Sequence, residues 1–139
     1  MNNKEAIIEM LKLLARNYIF ATNSFKRDIT KLVTTNVEKF VEIFTRDIRR
    51  KNFDDYNKYE LLNLSPKQKK KIDGKKLYRY EYRENSNLKC IYTIEDENNI
   101  KRVILLCAFN EDGDKKKGKN SYNDNINRAI GIYLNITEN

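Results

Sequence analysis

The chain has 139 residues, of which 40% are hydrophobic and 35% charged, so it carries enough apolar side chains for one domain with a core. Its 28 lysines and arginines outnumber its 20 acidic residues, and the resulting charge of +8 is typical of proteins that bind polyanions. Histidine is absent, which excludes Ser-His-Asp and Cys-His catalysis and a Cys2His2 metal site within this chain.

The first half of the chain is predicted to be helical, because apolar residues recur there every three to four positions. Three stripes carry this spacing: Ile7, Met10, Leu11, Leu14 and Tyr18; then Phe25, Ile29, Leu32 and Val33; then Val37, Phe40, Val41, Phe44 and Ile48. A further short helix is predicted after Ser65, because Ser65 can cap it, Pro66 suits its first position and Gln68 can close a capping box.

After Gly74 the pattern changes to strict alternation, which predicts strands. Segment 77–83 places tyrosines on one face and charged residues on the other: Tyr78, Tyr80 and Tyr82 against Arg79, Glu81 and Arg83. Segments 88–95 and 100–109 predict two more strands, and a last helix begins near Ser121. We therefore expect an α+β fold in which N-terminal helices pack on a small antiparallel sheet, a three-stranded meander, followed by a C-terminal helix.

Two lysine-rich segments hold all the excess positive charge of the chain. Residues 65–76 contain six lysines and one aspartate, and residues 114–119 contain four lysines and one aspartate. The lysines are Lys67, Lys69, Lys70, Lys71, Lys75 and Lys76, then Lys115, Lys116, Lys117 and Lys119. Such clusters beside strands suit the phosphates of a nucleic acid, although a solvated charge run would have the same composition.

The charged face of segment 77–83 is the first candidate for chemistry. Arg79 and Arg83 could clamp a phosphate, and Glu81 between them is a candidate general base, unless these residues form ordinary cross-strand ion pairs. Tyr122, at the start of the last helix, could stack on a base or pack in the core. The alternating tyrosines are expected to form the core face.

Cys90 and Cys107 both fall in apolar segments, which favours buried thiols in a reducing compartment over a disulfide framework. The first twenty residues carry charges inside an amphipathic pattern, and the longest apolar run, Val103–Phe109, is far too short to cross a membrane. We therefore expect a cytoplasmic protein with no membrane partner.

The stretch LYRYEYRENSNLKCIYTIEDENNIKRVILLCAFNEDGDKKKGKNSY, followed by a helix, resembles the RelE/ParE superfamily of bacterial toxins. Its members combine two helices, a basic segment, a strand with alternating basic residues, and a second strand opened by Arg or Lys. An apolar strand, a basic loop and a final helix led by tyrosine follow. The resemblance covers roughly residues 34–134. It implies a single domain, 1–139, with an N-terminal helical extension at 1–33 and a RelE-like core at 34–139.

The resemblance implies a toxin that cleaves messenger RNA, often on the ribosome, and that a cognate antitoxin neutralises. It implies neither a metal ion nor a cofactor. The predicted catalytic set has Glu81 as base, Arg83 and Lys89 as phosphate stabilisers, and Tyr122 for stacking or orientation. The predicted RNA-binding residues are Arg79, Lys69, Lys70, Lys71, Lys115, Lys116, Lys117 and Lys119. Glu81 departs from the best-known member, which has a catalytic lysine at this position, whereas some other members use glutamate.

Two other classes of function fit the same residues. A ParE-like toxin would act on a protein target without cutting RNA. A basic nucleic-acid-binding module would bind RNA or DNA without catalysis or toxicity.

Overall fold

The computed structural model describes residues 2–51, 60–111 and 121–137. Within these ranges the chain forms an α+β fold, as predicted. The elements in chain order are α1 (Asn3–Ala15), β1 (Ile19–Ala21), α2 (Asn23–Leu32), α3 (Val37–Lys51), α4 (Pro66–Lys71), β2 (Tyr78–Glu81), β3 (Leu88–Glu97), β4 (Ile100–Asn110) and α5 (Ser121–Thr137).

The sheet has four strands in the order β1-β4-β3-β2. Strands β2, β3 and β4 pair antiparallel as predicted, but β1 pairs parallel with β4, so the sheet is mixed. The prediction of a three-stranded antiparallel sheet is therefore wrong. Strand β1 has only three residues, too few to show an alternating pattern, and it begins directly after Tyr18, whose φ of 62° ends the helical path. Tyr18, predicted on the buried stripe of the first helix, is 46% exposed.

Helices α1, α2 and α3 cover one face of the sheet, and α5 covers the other, with α4 packed beside α5. The first face shares one hydrophobic cluster with these helices, which includes Ile7, Phe25, Phe44, Tyr80 and Tyr92. The predicted N-terminal extension therefore contributes both a strand and two helices to this core. The second face packs against the stripe predicted for the last helix, and Ile126, Ala129, Ile130 and Tyr133 are all buried there.

A β-bulge in β4 sets which side chains reach the second face. The pairing between β3 and β4 shifts at Ile91 and Tyr92, so Leu106 is an extra residue on β4. Leu106 and Cys107 consequently both lie in the cluster beneath α5. The bulge precedes Phe109, which pairs with Lys89 across the ladder and packs beneath the start of α5.

Candidate functional site

A cluster of charged residues lies where β2, β3 and the end of β4 meet the start of α5. Its centre is Lys89, whose side chain is only 7% exposed. The Lys89 Nζ atom lies 2.6 Å from Glu81 Oε1 and 3.3 Å from Glu111 Oε2, and it also donates to the carbonyl oxygen of Ser86. These acceptors compensate the cost of burying the ammonium group.

Tyr122 closes the same cluster from the first turn of α5. Its ring packs edge-to-face on Phe109, with ring centroids 5.2 Å apart. Its hydroxyl is buried and makes no hydrogen bond of normal geometry with the residues the structure describes, although Arg79 lies beside it. Burial raises the pKa of Tyr122 to about 12, and the nearby Arg79 guanidinium acts in the opposite direction. Tyr122 is therefore a neutral hydroxyl at physiological pH, able to donate a hydrogen bond.

Arg79, Glu81, Lys89, Glu111 and Tyr122 are called the hairpin cluster below. Arg79 is exposed and forms no ion pair within the described part of the chain, whereas Lys89 is engaged by two carboxylates. The two cations and two carboxylates of the cluster sum to zero charge. An anionic ligand would therefore meet Arg79 first and would need further positive charge from neighbouring elements.

Helix α4 supplies that charge, and a buried glutamine fixes its position. Gln68 is 6% exposed, and its Nε2 atom donates to Asn123 Oδ1 at 2.9 Å and to Asn127 Oδ1 at 3.0 Å, both on α5. Its Oε1 atom accepts from the backbone of Ser65, which completes the predicted capping box. The exposed lysines of α4 are thereby held beside the first two turns of α5: Lys67, Lys69, Lys70 and Lys71.

Arg83 does not belong to the hairpin cluster, and the prediction that it shares a face with Arg79 and Glu81 is wrong. Strand β2 ends at Glu81, so the alternation no longer determines the direction of Arg83. Its guanidinium pairs instead with the carboxylate of Asp47 on α3, on the opposite side of the sheet. The Tyr80 hydroxyl donates to the same carboxylate at 2.7 Å. Asp47, Tyr80 and Arg83 are called the aspartate cluster below.

The remaining predicted residues divide into three groups. The four loop lysines, Lys115, Lys116, Lys117 and Lys119, lie outside the described residues. The tyrosine face is confirmed as core: Tyr80 and Tyr82 are buried, and Tyr78 is half-buried and stacks on Tyr92 at 5.4 Å. Cys90 and Cys107 are confirmed as buried free thiols. Burial raises the pKa of Cys107 to about 12, which keeps this thiol protonated and unreactive.

The described ranges contain no grouping of three or more acidic or cysteine side chains placed to hold a metal ion. Of the helices in those ranges, none combines the length and apolar character needed to cross a bilayer.

Two residues that shape these sites carried no signal in the sequence, and for a third the sequence indicated only part of its role. Glu111 and Asp47 are acidic residues in a polar loop and on a helix, and only the tertiary structure brings them to Lys89 and Arg83. Gln68 was recognised as a capping residue, but its bonds to α5 span more than fifty positions of sequence.

Four of the predicted site residues thus meet at one edge of the sheet: Arg79, Glu81, Lys89 and Tyr122. Comparison of the chain with family models, with curated proteins and with solved structures found no match.

Proposed function

We propose that this protein is a RelE-like toxin that binds messenger RNA along α4 and the start of α5 and cleaves it without a metal ion. The observation that carries the proposal is the hairpin cluster itself. An exposed guanidinium, an exposed carboxylate and a buried tyrosine hydroxyl lie together beside a helix that presents four exposed lysines. A carboxylate that accepts a proton and a cation that stabilises charge on the phosphate are two of the groups that cleavage at a ribose 2′-hydroxyl requires.

The exposure of each group determines its role. Arg79 and Glu81 are exposed, so they contact the substrate directly, whereas Lys89 and the Tyr122 hydroxyl lie beneath them. Glu81 accepts the proton of the 2′-hydroxyl as its oxygen attacks the adjacent phosphorus. Arg79 stabilises the added negative charge on the phosphate oxygens. The bond from phosphorus to the 5′-oxygen breaks, and that oxygen takes a proton from water.

Lys89 and Tyr122 act as positioning residues in this scheme. The Lys89 ammonium holds the Glu81 carboxylate at 2.6 Å and so fixes the direction of the base. Tyr122 lies beside the Arg79 guanidinium and restricts where it can point. This assignment differs from the sequence prediction in two ways: Arg79 takes the part predicted for Arg83, and Lys89 positions Glu81 instead of stabilising the phosphate.

A non-catalytic RNA-binding module is the second candidate, and one observation favours it. Lys89 and Glu81 form a close ion pair, and the only role of such a pair could be to stabilise the hairpin. In that case the lysines of α4 would bind phosphates and Glu81 would accept no proton. The two candidates therefore differ in whether Glu81 is needed for RNA binding or only for RNA cleavage.

The test is induced expression followed by mapping of cleaved messenger RNA, with wild type, Glu81→Gln and the matched surface control Glu9→Gln. We expect cleavage by wild type and by Glu9→Gln, and its loss in Glu81→Gln with RNA binding retained. Salt-sensitive RNA binding without any cleavage would instead identify the binding module. Growth arrest with intact messenger RNA would contradict both and favour a toxin that acts on a protein.

A toxin of this class also requires a neutralising partner. We expect co-expression of a neighbouring open reading frame to restore growth, since an antitoxin would cover the basic surface with acidic or apolar residues. Failure of every neighbouring frame to restore growth would count against a toxin–antitoxin pair.

A further inference from the structure

A groove of about 820 Å³ lies at the other end of the sheet, between the edge strand β1 and the last turns of α5. Helix α5 packs on β4 and β3, while β1 is the outermost strand on that side. The groove falls within the volume range of about 300–1,000 Å³ that is usual for small-molecule sites. The hairpin cluster is at the opposite edge, so this groove is separate from the proposed RNA site.

One wall of the groove is apolar and partly open to solvent. Phe20 of β1 is 37% exposed and Ile136 of α5 is 38% exposed, and Ile104 and Ile132 continue the same wall. Phe20 points to this side because its strand neighbour Ile19 is buried among the helices of the other face. A ligand with an apolar body would remove these side chains from water.

Two arginines, Arg27 and Arg102, also line the groove, and both have hydrogen-bonding capacity to spare. The Arg102 Nε–H is buried and has no acceptor among the described residues, although the tip of the side chain pairs with Glu97. Arg27 is exposed, and its bond to Ser24 Oγ is long at 3.5 Å. Glu95 also lines the groove and lies near the Tyr133 hydroxyl. A buried donor without an acceptor is costly, and an oxygen of a ligand would satisfy it.

We propose that this groove binds a small organic anion with an apolar body, such as an aromatic or acyl acid. Its anionic oxygens accept from Arg102 Nε and pair with Arg27. Its apolar part packs on Phe20 and Ile136. Both parts of such a ligand would contribute to binding. Its anionic group would pair with the guanidinium groups, and its apolar part would exclude water from the apolar wall.

The experiment is a fluorescence titration of the full chain with 8-anilinonaphthalene-1-sulfonate, an aromatic anion. The matched probe without charge is N-phenyl-1-naphthylamine, and sodium sulfate supplies an anion without rings. We expect saturable one-to-one binding of the sulfonate, and binding of the neutral probe that is weaker by about tenfold. Sulfate at equal concentration should not displace the sulfonate.

Variants connect the binding to the groove. Arg102→Gln and Phe20→Ala should each lower the affinity for the sulfonate by about tenfold. Arg50 is an exposed arginine on α3, and Arg50→Gln should leave this affinity unchanged. Arg27→Gln changes an exposed side chain, and it keeps the test decisive if either of the other two variants fails to fold. Affinities within twofold of wild type for every folded groove variant would overturn the proposal, as would binding that does not saturate.

Discussion

The β2–β3 hairpin has a charged cluster on each of its faces, and the two clusters differ in which charge is buried. In the aspartate cluster the buried member is an acid, Asp47, whose oxygens accept from Tyr80 and Arg83. In the hairpin cluster the buried member is a cation, Lys89, whose ammonium group lies between two carboxylates.

In the function that we propose, this difference separates a structural ion pair from a surface that binds a substrate. The aspartate cluster uses the Arg83 guanidinium within the protein, whereas in the hairpin cluster Arg79 has no ion pair among the described residues and Glu81 is exposed. The phosphate contacts that we propose therefore come from the positive residues that have no buried acid beneath them.

The largest expected effect distinguishes Arg79 from Arg83. Arg79→Gln should lower the rate of RNA cleavage by about 10²–10³, the usual cost of removing one donor that stabilises transition-state charge. Arg83→Gln should change the rate by no more than about threefold, because its guanidinium is bound to Asp47. Rates on one RNA, measured well below the unfolding temperature of each variant, check this. A larger loss in Arg83→Gln than in Arg79→Gln would move the proposed site to the aspartate cluster.

The second effect is on stability. Asp47→Ala should lower the free energy of unfolding by about 2–3 kcal/mol, because the bonds that the buried carboxylate accepts from Tyr80 and Arg83 are lost. Urea denaturation measures this loss. The double variant Asp47→Ala with Tyr80→Phe should lose less than the sum of the two single variants, since no buried hydroxyl remains to be satisfied. Additive losses would show that Tyr80 and Asp47 do not act together.

The sequence predicts the elements of this fold better than it predicts which charged residues meet. The alternation in segment 77–83 correctly separates Tyr80 from Arg79 and Glu81, because strand geometry alone fixes their faces. It fails at Arg83, which lies past the end of the strand, where a partner on another helix decides the direction of the side chain.

Strand β1 and Glu111 show a second limit of sequence patterns. A three-residue strand is too short to alternate, and its pairing with β4 joins residues more than eighty positions apart. Glu111 reaches Lys89 only because β3 and β4 pair in one particular register, which includes a bulge. Both features depend on tertiary pairing that no local pattern encodes.

The third effect concerns how α4 supports the hairpin cluster. Gln68→Leu should cost about 1 kcal/mol of stability, because it removes the side-chain acceptor of the capping box and both bonds to α5. Lys70→Gln should leave stability unchanged. It should reduce the slope of log affinity against log salt by about 0.7 for single-stranded RNA, the value for one lost phosphate contact. An unchanged salt slope would show that Lys70 does not contact RNA.

The smallest expected effect is a loss of stability at high pH, which depends on the buried hydroxyls of Tyr122 in the hairpin cluster and Tyr80 in the aspartate cluster. Burial raises the pKa of Tyr122 to about 12, and burial together with the bond to Asp47 raises the pKa of Tyr80 further. In the unfolded chain both ionise near pH 10, so the stability that each protonated hydroxyl contributes is complete below pH 10 and falls as the pH rises above it. Wild type should therefore lose more stability than Tyr122→Phe between pH 10 and pH 12.

Absorbance at 295 nm checks the same point in the folded protein. Wild type and Tyr122→Phe should show equal phenolate absorbance at pH 10 and differ only as the pH nears 12, while Tyr80 should ionise only on unfolding. A difference of about half a phenolate already present at pH 10 would mean that Tyr122 is accessible to water. It could then exchange a proton with a substrate, and the division of roles between Glu81 as base and Tyr122 as a neutral positioning group would have to be abandoned.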